Sequence, residues 1–163
     1  MKNTWVIVAD AARARFFRVE DNAGAYAGSQ AAPGEASVPR GMLVEFSELV
    51  NLAARAPETS LASDQPGQGH DRFGQATHGM TEPTTPKEAE MQRFAKDVVE
   101  ALTRALHGGE MARFYLVAAP RFLGLLRDKI GNNGLKKALV DDLAKDLSLR
   151  RPDEIRRALP ERL

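Results

Sequence analysis

Two histidines and an aspartate, His70, Asp71 and His78, crowd into a single stretch, RAPETSLASDQPGQGHDRFGQATHGMTEPTT at residues 55 to 85. Their spacing matches neither a helical His pair nor a Cys and His framework. The remaining histidine, His107, falls elsewhere, so exposed loop histidines rather than a metal site are expected. Ser60, Ser63 and Thr77 could meet His70 or His78 and Asp64 in a nucleophilic arrangement. Such chemistry needs its groups held to within about 0.5 Å, which a loop of this composition does not provide. Gly67, Gly69, Gly74 and Gly79 supply glycine without a strand before them or a helix directly after, and no Gly-Lys-Ser or Gly-Lys-Thr follows. No catalytic residue, metal or cofactor is therefore expected. The same stretch suits recognition better. Gln68, His70, Gln75 and His78 carry hydrogen-bonding heads, Arg72 a charge, Phe73 a ring able to stack, and Gly74 a close backbone approach, a set used to enter an RNA site or a partner groove. A disordered surface insertion is the competing reading of the same composition.

The stretch interrupts a chain that otherwise reads as alternating strands and helices. Trp5 to Ala9 is an apolar run expected to be a strand buried on both faces, ended by a turn at Asp10 to Arg13. Ala14 to Val19 is the second strand of a hairpin. Tyr26 to Pro39 is a loose excursion, and Met42 to Asn51, whose Leu43, Phe46, Leu49 and Val50 would also fit a helical stripe, reads more simply as the third strand of a meander. Arg13, Arg15 and Arg18 offer cations to nucleic acid, but read more simply as solvated charge on the strand faces and turn.

Past the long loop, Thr85 stands as an N-cap with Pro86 at the first helical position and Glu88 three residues on, a capping box. Met91, Phe94, Ala95, Val98, Val99, Leu102, Ala105 and Leu106 then form a stripe that ends at His107, Gly108 and Gly109. Phe114 to Val117, stopped by Pro120, predicts a buried strand joined by a crossover. Arg121 to Ile130 predicts a helix with Leu123, Leu126 and Ile130 inward and Gly131 at its end. Leu135, Leu139, Leu143 and Leu147 recur every four residues and favour a helix over 135 to 147, although Leu139 with alternate Asp141, Leu143 and Lys145 could serve an edge strand. A short helix over Pro152 to Leu159, acidic at its start and basic at its end, closes the chain. The whole is one α/β domain spanning residues 1 to 163, with a mixed sheet, packed helices and a long flexible loop at about 55 to 85.

Composition narrows the class. With 23 Lys and Arg against 22 Asp and Glu, the net charge of +1 gives no global field for nucleic acid or membrane, although a local basic patch is compatible with it. The absence of cysteine removes disulfides, thiolate zinc sites and a Cys nucleophile. Trp5 to Ala9 is too short for a secretory h-region or a membrane span, so a soluble cytoplasmic protein is expected.

The chain resembles the bacterial family of host attachment proteins, proteins required for attachment to host cells. The resemblance rests on WVIVADAARARFF at 5 to 17, SDQPGQGHDRFGQATHGM at 63 to 80, TPKEAEMQRFAKDVVEAL at 85 to 102, YLVAAPRFLGLLR at 115 to 127 and KDLSLRRPDEIRRAL at 145 to 159. That family in turn looks like a distant relative of the middle domain of archaeal and eukaryotic class-one release factors, a ribonuclease-H-like mixed α/β fold. The resemblance implies a strand, against the leucine pattern, somewhere in 139 to 147. It also implies a loop that faces RNA or the ribosome. The Gly-Gly-Gln tip of the release factors is not present: Phe73-Gly74-Gln75 and Gly67-Gln68-Gly69 stand nearby instead, so peptidyl-tRNA hydrolysis does not carry over. The leading expectation is a non-enzymatic protein binding RNA or the translation machinery through residues 63 to 80. The alternatives are a direct or indirect role in attachment, and a hydrolase or nuclease. For a nuclease, Asp10 at the end of the first strand is the one suggestively placed acid, and a turn role suits it better.

Overall fold

The computed structural model describes residues 3–21, 41–55, 85–131, 134–161 and 163. Strands β1 (Thr4–Ala9), β2 (Arg13–Glu20) and β3 (Met42–Val50) form the expected meander, followed by a 3-10 turn at Leu52–Arg55. Helix α1 (Pro86–His107) leads to β4 (Arg113–Ala118), then α2 (Pro120–Ile130), the short α3 (Gly134–Ala138), β5 (Leu139–Ala144) and α4 (Pro152–Ala158). The sheet order is β3-β2-β1-β4-β5, with β1 and β2 antiparallel, β2 and β3 antiparallel, and β1, β4 and β5 mutually parallel.

β1 sits at the centre because it is apolar at nearly every position and can be covered on both sides; all six of its residues are buried. Its alternation divides the core in two. Trp5, Ile7 and Ala9, with Ala14 and Phe16 of β2 and Phe114, Leu116 and Ala118 of β4, face the apolar stripes of α1 and α2. Val6 and Val8, with Phe17, Val19, Leu43, Tyr115 and Val117, face Ile155 of α4, and Leu159 and Leu163 after it. Helices on both faces of a mixed sheet give three layers.

α1 begins as its capping box requires. The Thr85 hydroxyl accepts the Glu88 N–H at 3.2 Å and the Glu88 carboxylate accepts the Thr85 N–H at 3.4 Å. The helix on the second face is fixed by a charge. Arg156 is 5 % exposed, and its guanidinium donates to the carbonyls of Gly41 (2.8 Å), Pro160 (2.8 Å) and Glu161 (2.7 Å), tying α4 and the residues after it to the start of β3. Burial lowers its pKa from the ordinary arginine value, against the pull of Tyr115 and Glu161.

One expectation from the leucine spacing is overturned. Residues 135 to 138 are helical, but from Leu139 the chain is the edge strand β5, paired with β4 from Phe114↔Leu139 to Ala118↔Ala144. Pairing with an already buried strand satisfies a whole ladder of backbone groups, which outweighs a four-residue leucine repeat. The excursion over Tyr26 to Pro39 lies outside the described residues.

Candidate functional site

In sheets of this kind ligands gather beyond the carboxyl ends of the parallel strands, here the edge where β1, β4 and β5 finish. Asp10 is the first residue after β1. One of its carboxylate oxygens accepts the backbone N–H groups of Ala12 (2.6 Å) and Arg13 (2.8 Å), which closes the turn into β2. The other accepts the hydroxyl of Ser148 at 2.5 Å. Ser148, 1 % exposed, also stands 2.8 Å from a carboxylate oxygen of Asp146, so one hydroxyl hydrogen is shared between two acids. Asp10 thus acts as the turn former its position suggested, and it clamps the connection between β5 and α4 as well.

Arg15, two residues into β2, completes this clamp. Its guanidinium forms a two-pronged pair with Glu45 of β3, at 2.9 and 2.6 Å, and donates to the carbonyls of Ser148 (3.1 Å) and Arg150 (2.7 Å). It also lies over the Phe17 ring, 5.0 Å from the centroid. The hydrogen bonds from Arg15 hold the Glu45 carboxyl below its usual range despite partial burial. Beside it, Arg13 pairs with Glu48 at 3.4 Å. These groups, with Leu149, Arg150, Arg151 and Pro152, line an open groove of about 370 Å³. Its arginines are engaged by carboxylates: Arg150 by Glu154 at 3.8 Å, and Arg151 by Asp153 at 3.5 Å and Glu154 at 3.7 Å. The groove therefore works as a charged seam that holds two ends of the chain together. Arg18 differs from Arg13 and Arg15, since its guanidinium lies over the Phe46 ring, 4.5 Å from the centroid, without a carboxylate partner among the described residues.

The same edge receives both ends of the long loop. On one side, Asn51 caps the meander, its backbone N–H donating to Ala12 O (2.8 Å) and its side-chain amide to Ala11 O (3.0 Å), and the Leu52–Arg55 turn follows. On the other, Thr85 opens α1. Glu88 in that first turn pairs with Arg121 in the first turn of α2, and the Ala119 N–H at the head of α2 donates to Ala9 O at 3.2 Å. Gln68, His70, Arg72, Phe73, Gly74, Gln75 and His78, the residues singled out for recognition, lie outside the described residues, within the segment 56–84 between those two anchors. His107 is exposed at the last position of α1, and among the described residues no three acids or histidines gather as a metal site. Ser148, Asp146 and the Arg15–Glu45 pair were not singled out from the sequence. Ser148 is 138 residues from Asp10 and 133 from Arg15, and no local spacing connects them.

A family model described as "Protein required for attachment to host cells" matches residues 5–159, from β1 through α4. The chain belongs to this family. The match takes in the clamp at both of its ends, Asp10 and Arg15 near the start and Ser148 near the finish, together with the anchored segment between them. No curated protein matches the chain. Among the described residues of this host attachment protein, no helix is long and apolar enough to cross a membrane.

Proposed function

We propose that this protein supports host attachment as a non-enzymatic cytoplasmic scaffold that presents residues 63 to 80 to RNA or the translation machinery. The observation that carries the reading is the convergence of Asn51 to Arg55 and Thr85 on one edge of the sheet, where hydrogen bonds hold the residues on either side of the segment. Binding residues are commonly carried by loops set on such a scaffold. The side chains of that segment supply what single-stranded RNA requires: Phe73 for stacking, Arg72 for phosphate, and Gln68, His70, Gln75 and His78 for base edges. The chemistry of the surrounding edge points the same way. Asp10, the acid a nuclease would use, has both carboxylate oxygens committed to the turn and to Ser148.

The test is sedimentation of the tagged protein from gently lysed cells through a sucrose gradient, against a variant whose residues 67 to 78 are replaced by a Gly and Ser linker. Native protein should travel with ribosomal particles, less so at high salt, and the variant should stay at the top. If native protein also stays at the top in low salt, the RNA reading fails.

A further inference from the structure

At the opposite end of β1, roughly 17 Å from Asp10 at about 3.3 Å per residue, a second cavity of about 320 Å³ is lined by Asn3, Thr4, Trp5, Arg18, Val19, Glu20 and Glu110. Its walls are built rather than incidental. Asn3 takes a left-handed backbone (φ 67°), a conformation asparagine tolerates better than most residues, and its amide donates to Gly109 O at 2.9 Å. That bond fixes the turn carrying Glu110, in which Gly109 is itself left-handed (φ 74°). The Thr4 hydroxyl accepts from Arg113 Nε at 2.9 Å. Trp5 is held edge-on by Phe46 (4.7 Å between ring centroids) and Phe16 (6.3 Å).

The charges of this cavity differ from those of the groove near Asp10. Arg18, Glu20 and Glu110 form no ion pair or side-chain hydrogen bond among the described residues, and Arg18 contributes only its stacking on Phe46. Trp5 supplies the deciding observation. It is 5 % exposed, and its indole N–H has no hydrogen-bond partner among the described residues. Since no unpartnered polar side-chain atom is fully buried among the described residues, this N–H keeps some contact with solvent, and Trp5 lines the cavity. Buried tryptophans ordinarily find a partner for that group. Here the group is left without one among the described residues, beside a guanidinium and two carboxylates that have no ion-pair partner among them.

We propose that this cavity binds a small zwitterion of amino-acid type, its carboxylate meeting the Trp5 indole N–H and the Arg18 guanidinium, and its ammonium meeting Glu20 and Glu110. The volume lies at the small end of ligand sites, and Trp5 offers the apolar contact such pockets use. A phosphate would lack a reason for the two carboxylates, and a simple cation would lack one for Arg18 and the indole donor.

Trp5 is the single tryptophan, so its fluorescence reports on the cavity directly. The purified full chain is titrated with leucine, glutamine and arginine, each alongside its N-acetyl and amide forms, and each titration is repeated by calorimetry. At least one of the three free amino acids should give a saturable change. Blocking either its ammonium or its carboxylate should weaken binding roughly tenfold or more, the loss of one charge-assisted contact. Arg18→Gln should weaken the free amino acid to the level of its amide form, and Glu110→Gln to the level of its N-acetyl form. Both side chains are exposed, and circular dichroism confirms that each variant folds. Absence of any saturable signal by both methods overturns the proposal, as does equal binding of the blocked and free forms. Sedimentation with ribosomal particles concerns the other end of the sheet, so either result leaves the other intact.

Discussion

Charge at single residues does mechanical work in this fold. Arg15 engages Glu45 with two hydrogen bonds and two distant carbonyls with the rest of its fork, and Arg127 engages Asp142 in the same two-pronged way between α2 and β5. In both pairs the hydrogen bond from arginine is the main reason the carboxyl is held below its ordinary value, 4.5 for Glu45 and 3.8 for Asp142, with burial opposing it. A carboxyl whose pKa is lower in the folded chain than in the unfolded chain stabilises the fold above the unfolded value. That contribution disappears as pH falls through the folded value. Stability in urea should therefore decline as the pH drops below about 5, with Glu45 beginning to contribute to the loss before Asp142. In Arg15→Gln the protein is less stable at neutral pH, and its deficit relative to wild type should shrink on acidification by up to about 1 kcal/mol, the discounted worth of a partly exposed pair. A deficit that stays constant with pH would show that Arg15 acts through Ser148 O and Arg150 O alone.

The elements differ in how much of their stability is local. α1 carries its own start signal, and Thr85→Ala should cost about 1 kcal/mol in urea denaturation while Thr85→Ser costs a fraction of that, because serine keeps the oxygen that accepts the Glu88 N–H. Such self-contained signals made α1, β1, the meander and α4 readable from sequence: a capping box, an unbroken β-branched run, a proline at a first helical turn. β5 carried only a weak one, the alternation of Leu139, Asp141, Leu143 and Lys145. Its exposure pattern is irregular, with Val140 and the acids Asp141 and Asp142 turned partly to water at the sheet edge, so the period of two did not outweigh the leucine repeat. Leu135, Leu139 and Leu143 meanwhile mimic a helix, although Leu135 packs under α1 and α2 and Leu143 joins the opposite layer beside Ile155. The contacts among Asp10, Arg15 and Ser148 were equally illegible, since they are made by the approach of β2 to the connection after β5. The long segment announced itself by what it lacks, and its anchors by Thr85 and Asn51.

At the scale of the whole molecule, the two faces of the sheet are unequally protected. α1, α2 and α3 cover one; on the other, Val6, Val8, Phe17, Tyr115 and Val117 depend on seven-residue α4 and the residues that follow it. Burial of Ile155 and Leu159 alone is worth about 1.5 to 3 kcal/mol each, a large part of a total stability of roughly 5 to 15 kcal/mol. A chain ending at Arg151 should therefore bind a hydrophobic dye and lose its cooperative thermal transition, whereas a chain ending at Pro160 should retain a weakened one. The inequality also has a schedule. The meander can pair as soon as it is made, but the second neighbour of β1 begins with Thr4↔Arg113, 113 − 4 = 109 residues later. At roughly 5 to 20 residues per second of synthesis, the strand TWVIVA waits on the order of 5 to 20 s with one edge unpaired. During that interval a strand whose six residues are all destined for burial is a docking edge for any other extended chain. Control of its encounters then falls to the timing of translation and to whatever shields a nascent chain.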